Sequence, residues 1–434
     1  MAEIIPFKAI RYDPHQVKLE DVLTQPYDKI TPEMQAKYYE RSAHNLVRII
    51  LGKSGDTDTE SFNVYTRAAE YLHDWRSGGL LKRDAEPAIY IYSQTFTAPG
   101  TRELSERRGL IALGRIHDYA DGVVYRHEQT LSKPRQDRLN LLRATRAHFG
   151  QIFMLYSDPQ NEIAVLLQAK TEQEPETSVL DEHETLHRLW RVDHPAIIAA
   201  LQAKMHDKKL LIADGHHRYE TALAYRNERR AQAATGDANA PYEYVMMTLV
   251  PMESPGLVIL PTHRIVHGLA DFDRERMLEG AGRFFDIERI DLRTESRSAT
   301  TLLDEAGANG TAFVAVTRQG PYLLRAKRGP IEDALNGVSP LQRELDVVQL
   351  HTIMLERVLG ITQEAIRNQE NVKYERDAFQ AISWVRQGAN VAFLMNAARI
   401  EQVRDIAFAG QVLPQKSTDF YPKLLSGLTI YALE

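Results

Sequence analysis

LLIADGHHRYETAL, residues 210–223, is an apolar run that stops abruptly at an Asp-Gly-His-His-Arg corner. The apolar residues 210–213 predict a buried strand, and the apolar spacing that follows the corner predicts a helix. Residues 214–218 would then join the C-terminal end of a strand to the N-terminus of a helix. An acid, a glycine, two histidines and an arginine in succession are hard to explain by packing. We therefore treat this corner as the first candidate for a functional site.

The segments around the corner alternate between strand-like and helix-like patterns. The predicted strands are residues 186–192, 209–213 and 243–251, and the predicted helices are residues 194–205 and 218–232. Strands that alternate with helices at this spacing predict a mixed α/β fold. We assign residues 1–270 to this first domain, which carries the corner.

A second α/β domain is predicted for residues 271–434, after a boundary near residues 269–273. Its predicted elements are strands at 285–290, 311–317, 322–326 and 390–395 and a buried helix at 345–359. The helix is apolar nearly all round, which is typical of a helix in a core. We expect this C-terminal part to pack against the first domain and to contribute residues to its site.

The composition restricts the class of protein. The chain has 434 residues, of which 43% are hydrophobic and 26% are charged, as in ordinary soluble proteins. It has no cysteine, which excludes disulfides, thiolate catalysis and cysteine-bound zinc and agrees with a cytoplasmic location. No apolar run reaches the roughly 18–20 residues of a membrane span, and the first residues lack the pattern of a signal peptide.

The charge pattern argues against a nucleic-acid partner. The formal net charge is -6, whereas a nucleic-acid binder normally has a basic domain or stripe. The arginines within residues 102–108 and 226–230 alternate with glutamates, which predicts solvated helix or strand faces. We expect a small-molecule substrate and a nucleotide as partners, no nucleic acid and no membrane, and we leave a homodimer open.

The residues of the corner suit phosphate binding. The first backbone N–H groups of a helix and its dipole attract anions. Gly215 allows the backbone to approach a ligand closely, and Arg218 offers a planar set of donors that matches phosphate oxygens. His216 and His217 can donate further hydrogen bonds. Asp214 can cap the helix or hold a cation that accompanies the phosphate.

Two other interpretations of the corner stay open at this point. The first is structural: an N-cap aspartate beside a glycine, with the histidines bonded locally. The second is a metal site, because two histidines and an aspartate are plausible ligands. Adjacent histidines in a turn rarely face one metal together, so we favour phosphate.

Several motifs resemble the bacterial family called domain of unknown function 1015, from one end of the chain to the other. They are FKAIRY at 7–12, YRHEQTL at 125–131, IADGHHRYETAL at 212–223, LPTHRIV at 260–266 and LPQKSTDFYPKLLSG at 413–427. The Asp-Gly-His-His-Arg box also resembles the phosphate-binding box of the ParB/sulfiredoxin-like superfamily. Within that superfamily it is most similar to free L-serine kinases, which use ATP or ADP. The resemblance implies a ParB/sulfiredoxin-like core in the first domain.

Differences from the other members of that superfamily narrow the chemistry. Sulfiredoxins carry a cysteine where this chain has His216, so sulfinic-acid reduction is excluded. DNA-binding ParB proteins have a different box and a helix-turn-helix module, which is not evident here. In the serine kinases a glutamate upstream of the box is the base, and Glu128 within YRHEQT is the residue that matches.

Two further polar clusters are candidates for substrate binding. Lys416, Ser417, Thr418 and Lys423 bring cations and hydroxyls together near the C-terminus. Cations beside hydroxyls suit phosphate or carboxylate recognition.

The second cluster, His263 and Arg264, follows a predicted strand at 257–260, where binding groups collect in α/β folds. Near the start of the chain, residues 26–28 either line the site or form a structural turn.

These residues predict a nucleotide-dependent phosphotransferase that acts on a small hydroxyl compound, with free L-serine as the first candidate. Glu128 would deprotonate the hydroxyl, residues 215–218 would hold the phosphates of ATP or ADP, and Asp214 would position Mg²⁺ or the start of the helix. The roles of Glu128 and Asp214 are interchangeable at this stage. The alternatives are a nucleotide-binding regulatory protein without transfer chemistry and a metal-dependent hydrolase that uses the two histidines.

Overall fold

The computed structural model describes residues 1–128, 132–233, 237–291 and 296–434, without the side chains of 132–134 and 296–298. The chain divides into two compact units. The first contains Met1–Arg126, Thr130–Val258 and Pro422–Glu434, and the second contains His127–Gln129 and Ile259–Tyr421. Each unit is therefore built from segments that are not consecutive in sequence.

The first unit is a large sheet with helices. Its strands up to residue 251 are β1 Ile4–Ile5, β2 Ile10–Tyr12, β3 Leu81–Arg83, β4 Ile89–Thr97, β5 Leu104–Arg115, β6 Val124–Tyr125, β7 Ala147–His148, β8 Ile152–Tyr156, β9 Thr177–Leu180, β10 Leu186–Val192, β11 Leu210–Asp214 and β12 Tyr244–Pro251. Its helices are α1 Leu19–Val22, α2 Pro32–Arg41, α3 Val47–Ile50, α4 Val64–Ser77, α5 Ser132–Thr145, α6 Glu162–Thr171, α7 Pro195–Met205 and α8 His216–Gln232. Single 3₁₀ turns lie at Tyr27–Lys29, Tyr119–Asp121 and Pro241–Glu243.

The main sheet mixes parallel and antiparallel strands. Its order is β6-β11-β8-β12-β5-β4-β10-β9, and β1 also pairs with β5. Strand β11 runs parallel to β6 and antiparallel to β8, with a bulge between Ile212 and Asp214. The corner therefore follows a strand that is paired on both sides, and the mixed α/β class that the sequence predicts is confirmed.

One buried core of the first unit lies on one face of this sheet, and the opposite face is buried as well, for example at Ile111 and Met246. Side chains that alternate along a strand point to the same face, and alternate residues of five strands are buried together: Ile89 and Ile91, Leu110 and Ala112, Ile152 and Met154, Leu210 and Ile212, and Val245 and Met247. Tyr219 and Ala222 of α8 pack into the same cluster. The Tyr219 hydroxyl also donates a hydrogen bond of 2.7 Å to the carbonyl of His117. The start of α8 is thus fixed to the sheet directly after the corner.

The elements between residues 258 and 421 form a second α/β arrangement. The strands are β13 Val258–Leu260, β14 His263–Val266, β15 Phe285–Arg289, β16 Ala312–Thr317, β17 Gly320–Ala326, β18 Val372–Glu375, β19 Val391–Met395 and β20 Asp419–Tyr421. The helices are α9 Arg274–Gly282, α10 Ser296–Gly307, α11 Arg328–Ala334, α12 Pro340–Arg343, α13 Asp346–Gln349, α14 Gln363–Asn368, α15 Ala378–Arg386 and α16 Ile400–Phe408. Six strands form a sheet in the order β15-β17-β16-β19-β14-β18.

The last segment of the chain belongs to the first unit. Its strand β21, Tyr431–Ala432, pairs antiparallel with β7. Bridges between Ile10 and Ile430 and between Thr24 and Ser426 attach the segment to the N-terminal residues of the same unit. These contacts hold residues 422–434 against the unit that carries the corner.

Three predicted elements differ in detail from the structure. The helix after the corner begins at His216 rather than Arg218, because Gly215 takes a left-handed conformation and serves as its N-cap. The stretch 102–108, predicted only as a solvated face, contains the start of strand β5 at Leu104. The predicted helix at 345–359 is present, but it winds as a π-helix over Leu350–Val358.

None of the helices in the described ranges is long and apolar enough to cross a membrane.

Gly256 offers a test of the packing in the first unit. A Cβ at this position would overlap the backbone carbonyl of Glu106 on β5, and backbone yields less readily than a side chain. We expect Gly256→Ala to lower the free energy of unfolding by about 1–3 kcal/mol. Thermal unfolding followed by circular dichroism measures this. Gly55→Ala is the control, since its nearest neighbours are side-chain atoms at 3.9 Å, and equal midpoints for both variants would contradict the packing.

Candidate functional site

The backbone of the corner requires glycine at its centre. Strand β11 ends at Asp214, and Gly215 follows with a φ of 92°, in the left-handed region. A Cβ on Gly215 would also lie 3.0 Å from Nε of Arg218. The chain then enters the 17-residue helix α8, whose N-terminal end carries the positive pole of the helix dipole. The turn therefore presents a helix N-terminus at the end of a strand that is paired on both sides.

The carboxylate of Asp214 receives hydrogen bonds from two cations. Oδ2 accepts from Nη2 of Arg218 at 2.7 Å, and Oδ1 accepts from Nζ of Lys423 at 3.3 Å. The expectation that Asp214 caps the helix is corrected, because Gly215 occupies the N-cap position. Lys423 comes from the last segment of the chain, so the fold brings it to the corner from 209 positions away.

The charges around Asp214 keep it ionised. Burial alone would raise the pKa of this carboxyl, but the positive charges of Lys423, Arg218 and Lys29 outweigh burial and hold the pKa well below its usual range. We name these residues, Lys29, Asp214, Arg218 and Lys423, the corner cluster. Within this cluster one negative charge meets three positive charges, and Asp28 is a second acid whose charge acts on Arg218.

Arg218 is held on both sides by the protein. Its Nη1 donates to the carbonyl of Gln151 and its Nη2 donates to Asp214. Burial would lower the pKa of Arg218, yet the negative charges of Asp214 and Asp28 raise it above its usual value. Residues 26–28 therefore lie near the cluster, as one of the two sequence interpretations expects. The guanidinium also lines a narrow, mostly apolar cleft together with Tyr27 and Phe149.

The two histidines occupy consecutive positions in the first turn of α8. His216 is buried and His217 is half-buried. The carbonyl of His217 accepts a hydrogen bond of 2.7 Å from the hydroxyl of Thr221. Within the ranges that the structure describes, no group of three or more histidine, aspartate or glutamate side chains is placed to hold a metal ion.

Magnesium does not fit Asp214 as a direct ligand. Mg²⁺ needs carboxylate oxygens that are available for close octahedral coordination. Both oxygens of Asp214 face the cationic groups of Arg218 and Lys423. We therefore derive no catalytic step through a metal bound at this carboxylate.

The remaining predicted residues meet in the second unit. Oε1 of Glu128 accepts the backbone N–H of Lys416 at 3.0 Å, and Lys416 has a φ of 57°, which is uncommon for a residue with a side chain. The hydroxyl of Thr418 lies 2.7 Å from Nε2 of His127, and the hydroxyl of Ser417 donates to the carbonyl of Pro414 at 2.5 Å. Gln129 and Thr130 of the YRHEQT motif lie outside the described residues.

Arg264 joins the same group from strand β14. Its Nη2 donates to the carbonyl of Lys416 at 3.0 Å, and its Nε lies 3.2 Å from Nε2 of His351 on the π-helix. The side chain is buried, and burial lowers the pKa of Arg264 to about 10. We name Glu128, Arg264, Lys416, Ser417 and Thr418 the loop cluster.

His263 faces the interior of the second unit. Its Nδ1 accepts the backbone N–H of Met395 at 3.3 Å, and burial lowers the pKa of His263 to about 4. The predicted site residues thus form the corner cluster in the first unit and the loop cluster, with His263, in the second unit. Their roles in binding stay predictions.

Sequence reasoning missed Lys29 and misplaced two arginines. Lys29 directly follows the turn at 26–28, and only the fold shows its charge acting on Asp214. Arg107 and Arg226 belong to stretches predicted to be solvated, yet both are almost fully buried. Arg226 donates to the carbonyl of Ile116 and to Asp118, each at 2.7 Å. The sequence does contain a signal for the burial of Arg107: successive side chains of a strand point to opposite faces, which turns Arg107 inward on β5.

Residues 4–348 match the family described as protein of unknown function DUF1015. The chain belongs to this family. Comparison with curated protein sequences finds no match.

Solved structures give distant matches. A variant of a free serine kinase in complex with ADP is 12% identical, with a TM-score of 0.36, over 76% of this chain and 94% of that chain. A conserved hypothetical protein from Pyrococcus furiosus is 13% identical, with a TM-score of 0.32, over 69% and 87%. SbnI from Staphylococcus aureus, truncated at its C-terminus, is 10% identical, with a TM-score of 0.35, over 73% and 87%.

The depressed pKa of Asp214 predicts a pH-dependent contribution to stability. A carboxylate whose pKa is lower in the folded than in the unfolded chain stabilises fully above the unfolded value, about 3.9, and loses that effect as the pH falls toward the folded value. We expect Asp214→Asn to melt below wild type at pH 7, and the gap to shrink below about pH 4. Thermal unfolding at pH 7, 5, 4 and 3 measures it.

The control for this series is Asp74→Asn, which changes an exposed aspartate on α4. It should follow wild type at every pH. A gap between Asp214→Asn and wild type that stays constant from pH 7 to pH 3 would contradict the assigned direction of the pKa shift.

Proposed function

We propose that this protein is a nucleotide-dependent phosphotransferase that acts on a small hydroxyl compound and binds the phosphates of the nucleotide at the corner cluster. One observation carries the proposal: Arg218, Lys423 and Lys29 converge on Asp214 at the N-terminal end of α8. Cations and helix N–H groups in this arrangement are suited to the oxygens of a phosphate chain.

In phosphoryl transfer the protein mainly has to position the reactants and to provide fixed positive charge. The hydroxyl oxygen of the acceptor attacks the terminal phosphorus, the bond to the leaving phosphate oxygen breaks, and the hydroxyl proton passes to a base. The products are a phosphate ester and a nucleotide shorter by one phosphate. Arg218 and Lys423 are already ordered by Asp214, so they need little reorganisation to stabilise the charge that develops.

The proposal places Mg²⁺ with the nucleotide rather than on a protein carboxylate. Magnesium usually keeps several waters and binds substrate phosphates through few protein ligands. ATP and ADP are both retained as donors. Free L-serine is our first acceptor, because the Asp-Gly-His-His-Arg box at 214–218 resembles that of the free serine kinases. Glu128 is our candidate for the base, and Lys416, Ser417, Thr418, His263 and Arg264 are our candidates for the groups that recognise the acceptor.

Replacement of Arg218 tests the phosphate site. We expect Arg218→Met to weaken binding of ATP and ADP by roughly ten- to hundredfold, since it removes charge-assisted hydrogen bonds worth about 1.5–3 kcal/mol. Isothermal titration calorimetry measures affinity, and mass spectrometry of reactions with Mg²⁺, nucleotide and pooled hydroxyl amino acids measures transfer. Arg229→Met is the matched control, because Arg229 lies on the same helix and donates to Gln232 rather than to Asp214.

Phosphoserine made by wild type and by Arg229→Met, but not by Arg218→Met, supports the whole proposal. If a different hydroxyl compound is phosphorylated instead of serine, the proposed reaction stands and the proposed acceptor is wrong. If wild type binds neither nucleotide, or if Arg218→Met binds as tightly as wild type, the assignment of the corner cluster is wrong.

Replacement of Glu128 tests the base. Glu128→Gln keeps an oxygen that can accept the N–H of Lys416 and removes the ability to take a proton. We expect kcat to fall roughly 10²- to 10⁴-fold, with nucleotide affinity unchanged. Rapid-quench measurement of product gives kcat, and Glu305→Gln, an exposed glutamate of the second unit, is the control. An unchanged kcat in Glu128→Gln would remove Glu128 from the mechanism.

A nucleotide-binding regulatory protein is the second candidate. The observation that favours it is the hydrogen bond between Oε1 of Glu128 and the backbone of Lys416, which gives the carboxylate a structural use without transfer chemistry. Nucleotide-dependent thermal stabilisation that is lost in Arg218→Met, retained in Glu128→Gln and accompanied by no phosphorylated product would favour this function.

A further inference from the structure

Lys423 lies in the last segment of the chain, and buried side chains of β4 and β5 form hydrogen bonds with the backbone of that segment. We propose that Gln94 and Arg107 are positioning residues, which set the ammonium of Lys423 against Asp214, and that Tyr92 supports the same segment. This inference rests on the proposed function only in taking the bound anion to be a phosphate chain.

Gln94 and Arg107 bind the two backbone carbonyls that flank the Cα of Lys423. Nε2 of Gln94 donates to the carbonyl of Lys423 at 2.8 Å. Nη2 of Arg107 donates to the carbonyl of Pro422 at 2.5 Å, and its Nε donates to Oε1 of Gln94 at 3.2 Å. Because a guanidinium only donates, it fixes the orientation of the amide, whose NH₂ group must then face Lys423.

The burial of Arg107 is unusual for a residue that would serve packing alone. The side chain is 1% exposed, and burial lowers the pKa of Arg107 to about 10, so it stays charged at neutral pH. Its guanidinium lies 4.6 Å from the ring centre of Phe153. Removing a charge from water is costly, and an apolar side chain would fill a core more cheaply. The charged guanidinium of Arg107 adds to the positive field on Asp214 and donates to the carbonyl of Pro422.

A hydrogen-bonded chain supports the segment two residues later. The N–H of Leu425 donates to the hydroxyl of Tyr92 at 3.3 Å, and this oxygen lies 2.7 Å from Nδ1 of His187. Nε2 of His187 lies 3.1 Å from Asp181. An acid on the Nε2 side assigns the histidine proton to that nitrogen, so Nδ1 accepts from Tyr92. Burial lowers the pKa of His187, which agrees with the neutral ring that this order requires.

These contacts fix where the side chain of Lys423 begins. A lysine that must order itself on binding loses side-chain entropy, and that loss weakens binding. The amide, the guanidinium and the phenol bind backbone groups of residues 422, 423 and 425, and Asp214 orders the far end of the side chain of Lys423. The ammonium is therefore in place before an anion arrives, which favours binding.

A double-mutant cycle tests whether Gln94 acts through Lys423. Affinities for inorganic pyrophosphate and for ADP are measured by calorimetry in wild type, Gln94→Met, Lys423→Met and the double variant. We expect Gln94→Met to weaken binding between about threefold and tenfold in the wild-type background and to have no further effect when Lys423 is already methionine. Equal effects in both backgrounds would overturn the inference.

Two further variants guard against a general loss of structure. Gln94→Glu keeps the size and the contact with Arg107 but removes the NH₂ donor to Lys423, so it should weaken binding as Gln94→Met does. Gln202→Met removes a comparable glutamine, which donates to the carbonyl of Ile4 at 2.9 Å elsewhere in the unit, and should bind as wild type. Weakened binding in Gln202→Met equal to that in Gln94→Met would count against a specific role.

A measurement without ligand separates this inference from the proposed function. The side chain of Lys423 is 9% exposed, so brief acetylation of the intact protein, followed by peptide mass spectrometry, should modify it slowly. We expect faster modification of Lys423 in Gln94→Glu and an unchanged rate in Gln202→Met. If wild type binds no pyrophosphate and no ADP, the proposed function fails while this rate still decides the positioning role. An unchanged rate in Gln94→Glu would overturn that role.

Discussion

The site depends on the carboxylate of Asp214 and the cations that surround it. Arg218, Lys423 and Lys29 all act on Asp214, and without this carboxylate their positive charges would repel one another. Burial would increase that repulsion. Asp214 makes their proximity tolerable because both of its oxygens are hydrogen-bonded to cations. The same arrangement keeps the carboxyl ionised and leaves positive charge in excess. One half-buried acid therefore holds together a cluster of cations from residues that lie far apart in the sequence.

The local part of this arrangement could be predicted from the sequence. An apolar run followed by glycine and a helical pattern specifies the strand β11, the tight turn at Gly215 and the helix α8. Each of these depends on neighbouring residues only, and so does the mixed α/β class, which follows from the alternation of such elements. Helix α8 begins two residues earlier than predicted, because the left-handed Gly215 directly follows the strand and is itself the N-cap of the helix.

The non-local part could not be predicted in the same way. Lys423 was a candidate for substrate binding through its neighbours in a motif, and nothing in that motif specifies a partner at Asp214. Arg107 lies in a stretch of alternating charge, which usually covers a solvated face. Its burial depends on the amide oxygen of Gln94 and the carbonyl of Pro422, which accept its hydrogen bonds. The burial of Arg226 depends likewise on the carbonyl of Ile116.

The return of residues 422–434 to the first unit has a consequence for biosynthesis. A ribosome releases the whole of the second unit before it releases this segment. The main sheet and the turn at Gly215 can form earlier, but until the segment arrives Asp214 lacks the ammonium of Lys423, and β7 lacks its partner strand. The nascent chain thus carries an incomplete cation cluster while residues 259–421 are synthesised. The cation cluster is completed only after residues 259–421 have been made, so a late segment determines when Asp214 acquires the ammonium of Lys423.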